Sequence, residues 1–203
     1  VSAGKVLITA QGNTQKILLA ERTALNFLSH LSGISTLTNQ WVSEISGTKC
    51  QIRDTRKTTP GLRMLEKFAV RMGGGVNHRL SLSQAALIKD NHIMAAGSIS
   101  DAFNAIKKMY PDKSIEIEVD SIDQLKEAIT LKPDLILLDN MSTDQCSEAV
   151  SITNGLVKLE ASGGIAITNA KAYAATGVDY LAIGSLTHSA PALDIGLDFR
   201  KGK

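Results

Sequence analysis

From Cys50 onward, short apolar runs alternate with stretches whose apolar residues recur every three or four positions. CQIRD (50–54), AALIKD (85–90), SIEIEVD (114–120), DLILLD (134–139), VKLEAS (157–162) and VDYLAIG (178–184) have the length and composition of strands. Between them, LRMLEKFAVRM (62–72), ISDAFNAIKKM (99–109), SIDQLKEAITL (121–131), STDQCSEAVSI (142–152) and about 168–176 carry helical spacing. Ser121 and Gln124 have the spacing of a capping box, and Ser142 or Thr143 can cap the helix that follows. Gly73-Gly74-Gly75 and Pro111 stop two of the helices. About six β-α units in succession predict a parallel α/β sheet with apolar strands buried on both faces and helices outside. Such a sheet is either a barrel or doubly wound.

The first fifty residues read differently. KVLITA (5–10) and KILLA (16–20) flank a Gln-Gly-Asn turn and read as two short strands at the edge of a separate small sheet. From Glu21 to about Ile45, Leu25, Leu28, Leu31, Ile34, Leu37, Trp41 and Ile45 predict one long helix, with Gly33 permitting close packing at its middle. Arg22 falls in the first turn of that predicted helix, where the dipole disfavours a cation. It is either a solvated surface residue or an arginine reaching for an anion. The chain begins at Val1 inside an apparent strand, so an N-terminal part of the domain is expected to be missing.

Composition narrows this picture. With 203 residues, 43% of them hydrophobic, the chain can bury one sizeable core. No apolar run approaches the roughly 20 residues that span a bilayer, and no charged-then-apolar leader is visible. A cytoplasmic protein without a membrane partner is expected. Cys50 and Cys146 lack nearby His or Cys, which favours buried free thiols over zinc or a disulfide.

Charge is uneven along the chain. Arg53–His92 carries eight Lys/Arg (53, 56, 57, 63, 67, 71, 79, 89) against Asp54, Glu66 and Asp90, although the whole chain is only +2. These cations sit among Thr, Gly, Asn and His, not among Glu partners, as in a pocket for several negative groups. Phe68 is the single aromatic in the stretch, which argues against a nucleic-acid stacking platform.

Polar residues also gather at strand C-termini: Arg53 with Arg56 and Lys57, Lys89-Asp90, Glu118 to Asp120, Asp139-Asn140, Glu160 to Gly164, and Gly184-Ser185. In a barrel these ends share the rim that carries the active site, which favours a barrel over an open sheet. Ser162-Gly163-Gly164 and Gly184-Ser185 can present backbone N–H groups to phosphate, with His188 as a further donor. Glu118 and Asp139 can ion-pair with the basic stretch, or hold a Mg²⁺ that arrives with pyrophosphate. Lys89 can serve as a Schiff-base lysine or as a carboxylate anchor. Arg56, His78 and Arg79 suit fork-like pairing with carboxylates or phosphates.

The stretch DTRKTTPGLRMLEKFAVRMGGGVNHRLSLSQAALIKDNH resembles the quinolinate phosphoribosyltransferase family. The likeness continues through ERTALNFLSHLSGIST, IEIEVDS, LILLDNMS, LEASGGI and GVDYLAIGSLTHSAPALDIGLDF. It implies an open TIM-like α/β barrel with the remnant of a small N-terminal α/β domain. Residues 1–20 would end that mostly missing domain. Residues 21–203 would form the catalytic domain, the C-terminal segment returning to the N-terminal one.

The activity implied is phosphoribosyl transfer from phosphoribosyl pyrophosphate to quinolinate with decarboxylation, in de novo NAD biosynthesis, with Mg²⁺ as cofactor. The implied assembly is a homodimer or a hexamer of dimers, Arg22 reaching into the partner's site. Thr55, Arg56, Lys57, His78, Arg79 and Lys89 would bind quinolinate. Lys57, Ser162, Gly163, Gly164, Gly184, Ser185, Leu186 and His188 would hold the phosphate-bearing substrate. Lys89, Glu118 and Asp139 would be catalytic, the two carboxylates also meeting Mg²⁺ through water. Alternatives are a related transferase with another ring substrate (a molybdenum-uptake homologue or a nicotinate-specific enzyme), a Schiff-base lyase on Lys89, and a phosphate- or nucleic-acid-binding module.

Overall fold

The structure, a computed structural model describing residues 1–199, is an opened parallel barrel. After the helix α1 (Thr14–Glu44) come β1 (Gln51–Arg53), α2 (Arg63–Met72), β2 (Ala85–Ile88), α3 (Asp90–Ala96), α4 (Ile99–Met109) and β3 (Ser114–Val119). Then follow α5 (Ile122–Thr130), β4 (Leu135–Asp139), α6 (Thr143–Thr153), β5 (Lys158–Ser162), α7 (Ile167–Ala175), β6 (Tyr180–Ala182) and α8 (Ser185–His188). All six strands are parallel, in the order β1-β6-β5-β4-β3-β2. Strands 2 to 5 each neighbour their successor, and β1 closes onto β6. That is the winding of a barrel with one seam, between β1 and β2, and not of a sheet with a switch point. Val76 partly fills the seam through a parallel bridge to Arg53.

The two faces of the sheet differ, which corrects the expectation of strands apolar on both sides. Ile52, Ile115, Ile117, Val119, Ile136, Leu138, Leu159, Ala161, Leu181 and Ile183 pack into the core shared with the helices. The alternate positions, on the inner face, include Arg53, Glu116, Glu118, Asp139, Glu160 and Ser162. Because side chains alternate along a strand, IEIEV and KLEAS each send one row to the helices and a polar row inward. Apolar residues remain in the inner row at Leu135 and Leu137 of β4 and at Ala85 and Leu87 of β2.

The helix starts follow local chemistry. Ser121 accepts from the Gln124 backbone N–H at 3.4 Å, but the Gln124 side chain accepts from Asp120 at 3.0 Å, so the capping box is only half made. Ser142 and Gln145 complete theirs reciprocally. Helix α3 lies where the sequence predicts the end of a strand. Lys89 is its N-cap, and it escapes a periodicity reading because it buries none of its side chains.

The N-terminal expectations change more. Residues 5–10 form no strand, and KILLA lies inside α1, which starts at Thr14 under an Asn13 cap accepting from Lys16 at 3.2 Å. A strand needs a neighbour for its backbone groups, whereas a helix satisfies its own; no second strand lies beside this segment among the described residues. Arg22 is therefore in the third turn of α1, beyond reach of the dipole's positive end. It is exposed.

Around it α1 leaves Leu18, Leu19 and Phe27 exposed, and the adjoining α2 leaves Met64, Leu65, Phe68 and Met72 exposed. Cys50 and Cys146 are buried free thiols; burial pushes Cys146 up to about 11.

Gly33 is where the C-terminal segment crosses α1. A Cβ there would lie 2.0 Å from the Pro191 carbonyl oxygen, and Leu193 donates to the Ser29 carbonyl at 3.1 Å nearby. Helix propensity alone would favour alanine at this position by about 1 kcal/mol. Gly33→Ala is instead expected to destabilise the protein by about 1–3 kcal/mol through overpacking, read as a lower urea midpoint. An unchanged or higher midpoint would show that the crossing yields without cost.

Candidate active site

The eight cations of the basic stretch divide into two groups. Lys67, only 2% exposed, ion-pairs with Asp54, which is fully buried, and donates to the His78 carbonyl at 2.9 Å. Burial pulls the Lys67 pKa down, and Asp54 opposes that. Asp54 also accepts from Asn77 Nδ2 at 2.6 Å and from the His78 backbone N–H at 2.7 Å, so it anchors the 77–79 segment. Arg53 places Nη1 2.6 Å from Glu160 Oε2 and its guanidinium 4.7 Å from the Tyr180 ring centroid. Arg63 serves Thr58 and the Arg56 and Leu80 carbonyls, tying the 55–59 loop to the segment after His78. These three cations hold the scaffold. Arg71 stands apart from the mouth as well, exposed beside the Phe68 ring.

The other group faces the mouth. Arg79, 8% exposed, donates to the Ala85 carbonyl at 2.7 Å and feels the positive charge of Arg56. Its pKa falls through burial first and Arg56 second, with Glu116 opposing. Both Arg56 Nε and Arg79 Nε are buried without an acceptor among the described residues. Two neighbouring guanidinium N–H groups kept from both water and partners are costly, and neither arginine has a carboxylate ion-pair partner among the described residues. Lys89 Nζ lies 2.6 Å from Glu118 Oε2, with the lysine side chain 45% exposed. Glu118 follows Glu116 by two positions, so both project from the same face of β3.

Lys57 forms a third corner with the segment Gly184 to His188. A Cβ on Gly184 would lie 3.2 Å from both Lys57 Cδ and His188 Nε2, and Thr187 Oγ1 donates to the Lys57 carbonyl at 2.7 Å. Thr55 Oγ1 accepts from the Lys57 backbone N–H at 3.1 Å. Opposite, Asp139 pairs in register with Ser162, and Gly163 and Gly164 follow with φ of +88° and +64°. A Cβ on Gly163 would sit 2.1 Å from Asn140 Oδ1, so the turn requires glycine for space as well as for backbone angle. Leu186 is fully buried in α8 and supports the loop through packing.

The fold therefore brings Arg56 to Arg79, Lys89 to Glu118, and Lys57 to Gly184 and His188. Arg22 joins none of these clusters. Sequence reasoning missed Arg53, Lys67 and Asp54 as scaffold. It gave Glu116 no role, and Glu160 none beyond its place at a strand end. The signal was present in the alternation of SIEIEV and KLEAS.

Beneath the mouth, Glu160 is fully buried, with Arg53 on one oxygen and His78 Nε2 3.6 Å from the other. His78 Nε2 is 3.0 Å from Glu116 Oε2. Burial first, then the neighbouring Glu116, pushes Glu160 up to about 7, with His78 and Arg53 opposing. His78, Glu116 and Glu160 offer three ligand atoms within 4.8 Å of one another, but Arg53 already supplies a cation to this group.

A parallel barrel whose rim joins unsatisfied arginines to glycine-rich turns is a phosphate- and carboxylate-handling enzyme scaffold. Comparison with known proteins agrees. Residues 34–198 match the family described as quinolinate phosphoribosyl transferase, C-terminal domain, and residues 1–32 the N-terminal domain of the same family. The chain is 53% identical over 201 residues to the nicotinate-nucleotide pyrophosphorylase [carboxylating] of Mycobacterium leprae, covering 98% of this chain and 71% of that one. Among solved structures, the nicotinate-nucleotide pyrophosphorylase of Ehrlichia chaffeensis aligns with TM-score 0.87 and 50% identity, over 90% of this chain and 66% of that one. The Francisella tularensis enzyme of that name gives TM-score 0.88 and 48% identity, over 90% and 65%. The chain belongs to the quinolinate phosphoribosyltransferase family, and the barrel expected from the sequence is borne out.

A carboxyl group whose pKa is higher folded than unfolded binds its proton more tightly in the native state. Glu160, raised from 4.5 to about 7, thus contributes stability that is complete below about 4.5 and is lost as pH rises through about 7. Relative to Glu160→Gln, the native protein should lose up to roughly 3 kcal/mol across that window. Urea midpoints of both proteins at its two ends test this. A gap that is constant, or that widens in favour of the native protein as pH rises, would contradict it.

Proposed function

We infer that this protein catalyses the reaction named for its relatives. It transfers phosphoribosyl from phosphoribosyl pyrophosphate to quinolinate, with loss of CO₂, giving nicotinate mononucleotide and pyrophosphate for NAD synthesis. The observation that carries this reading is the placing of two neighbouring guanidiniums, Arg56 and Arg79, at the mouth with no carboxylate ion-pair partner among the described residues. A pyridine bearing two adjacent carboxylates supplies acceptors for both, with charge, and Lys89 offers a third cation beside them. Thr55 and Lys57 flank the arginines, and Lys57 also faces Gly184 and His188, where the 5′-phosphate would sit with Ser162, Gly163, Gly164, Ser185 and the Leu186 backbone.

Glu118 and Asp139 fit a hard divalent cation such as Mg²⁺. Each engages one oxygen locally, with Lys89 and Asn140 respectively, and the other oxygen has no protein partner among the described residues. Bound there, directly or through water, Mg²⁺ would offset the charge of pyrophosphate.

The chain's own groups do the rest. The cations let two polyanions approach and fix the ring nitrogen in line with the ribose C1′. As the bond from C1′ to pyrophosphate breaks, its electron pair leaves with the phosphate oxygen. Glu118 and Asp139 face the developing positive charge on the ribose. The ring nitrogen donates its lone pair to C1′ and becomes cationic. The adjacent carboxylate then leaves as CO₂, its bonding pair remaining on the ring carbon, which the cationic nitrogen stabilises until a proton arrives. No covalent intermediate with the protein is required.

Arg22 is expected to complete the site of a partner subunit. Its exposed position among Leu18, Leu19 and Phe27, beside the apolar face of α2, supports a homodimer formed through this surface.

Incubation with quinolinate, phosphoribosyl pyrophosphate and Mg²⁺ should release CO₂ and nicotinate mononucleotide in equal amounts. Turnover of a monocarboxylate ring without CO₂, and none of quinolinate, would replace this reading with a related transferase. Arg22→Ala and Lys89→Ala subunits, each inactive alone, should regain part of the activity when mixed, because one hybrid site is intact. Verified heterodimers with no activity would refute a shared site.

A further inference from the structure

His78, expected from the sequence to bind quinolinate, has both ring nitrogens engaged within the protein, and the two carboxylates below it are buried at considerable cost. Glu116 is 5% exposed, Glu160 is fully buried and His78 is 8% exposed. Isolated charges are not retained in such places unless they are paired. The pairing has a direction. The Arg79 backbone N–H donates to His78 Nδ1 at 2.8 Å, so that nitrogen is an acceptor and the ring proton lies on Nε2. Nε2 faces Glu116 Oε2 at 3.0 Å, and Glu160 Oε1 stands behind at 3.6 Å. Glu160 is in turn held by Arg53. One chain thus runs from the inner face of β3 through the imidazole to the backbone of Arg79. The Arg79 side chain leaves that point toward Ala85 and Arg56 with its Nε unsatisfied.

We propose that Glu116 is a positioning residue of the substrate site: acting through His78, it fixes the backbone and guanidinium of Arg79 for a carboxylate of the ring substrate. The proposal deepens the functional reading given above and rests on it. Two observations support it independently. Glu116 lies on β3 two residues before Glu118, the partner of Lys89, so a single strand steers two of the cations facing the mouth. Glu116 also sets its negative charge against the mutual repulsion of Arg79 and Arg56. A glutamate does both; a glutamine keeps the hydrogen bond and loses the charge; a leucine loses both. Glu160, held by Arg53, stands one step further back, 3.6 Å from the same His78 nitrogen.

Three proteins decide the matter: wild type, Glu116→Gln and Glu116→Leu, each full length. Steady-state kinetics should show KM for quinolinate raised on the order of tenfold or more in Glu116→Leu and by less in Glu116→Gln. KM for phosphoribosyl pyrophosphate should stay within about twofold, since the side chains placed around it, Glu118 on the same strand included, are hydrogen-bonded to neither Glu116 nor His78. An unchanged quinolinate KM in Glu116→Leu would overturn the proposal. So would an equal rise in both KM values, which a merely structural role would produce.

¹⁵N spectra of histidine-labelled wild type give a second reading that needs no activity. His78 should be the neutral form protonated at Nε2, and Glu116→Gln should retain it. A proton on Nδ1 would refute the chain of contacts even if quinolinate turnover is normal. Absence of quinolinate turnover with the Nε2 form in place would leave the contacts standing and remove the functional reading instead.

Discussion

The pairing of Arg53 with Glu160 inside the barrel is the constraint on which the remaining geometry rests. A barrel interior is ordinarily filled with branched apolar side chains. Here the inner row carries carboxylates and a guanidinium, and each buried charge demands a counter-charge or a proton. Arg53 answers Glu160, His78 bridges Glu160 to Glu116, and Asp54 below the 77–79 segment is answered by Lys67. Removing one member would leave another charge uncompensated in low dielectric, which costs far more than the pair contributes. The network therefore specifies geometry more than it adds stability. It does so where precision matters, directly beneath Arg79.

That arrangement explains why a stretch so rich in Lys and Arg does not act as a single positive surface. Arg53, Arg63 and Lys67 spend their donors on carboxylates and carbonyls of the protein. Arg56, Lys57 and Arg79 have no carboxylate partner within ion-pair distance among the described residues, and these three face the mouth. Cations of the first kind hold the loops at fixed positions. Cations of the second kind keep their charge uncompensated by the protein, Lys57 in water and the two arginines partly buried, and an anionic ligand would relieve them. The scaffold bears the cost of that preorganisation before any ligand binds.

Much of this was legible in the chain. The alternation of β and α segments, the length of most helices, and the gathering of polar residues at strand ends follow from period, caps and punctuation. Three things were not. KILLA, read as a strand, is helical because its apolar run continues the register of α1 and no neighbouring strand is available to it. Helix α3 is two turns long and sets only the partly buried Ile93 against the core, too little for a periodic signal. The inward carboxylates Glu116 and Glu160 were hidden by a general rule, that parallel strands are apolar on both faces, although IEIEV and KLEAS alternate plainly. A basic residue's partner also lies far along the chain: Arg53 and Glu160 are 107 residues apart. Counting charge over a local window cannot separate paired from unpaired cations.

The Lys89–Glu118 pair differs from the buried ones in a way that bears on how the site can work. At 2.6 Å it is short, but the lysine side chain is 45% exposed and the glutamate 16%. A pair so open to solvent contributes little, about 1 kcal/mol or less. Exchanging Glu118 for a ligand carboxylate on Lys89 is therefore nearly neutral for the protein. The exchange would free a Glu118 oxygen on the strand next to Asp139, available to the positive charge that would develop on the ribose. Arg53 and Glu160 cannot exchange in this way, because the buried glutamate has no water to fall back on. The barrel thus keeps its immovable pairs at depth and its exchangeable one at the rim, and that gradient of burial allows a rigid framework to accept a highly charged guest.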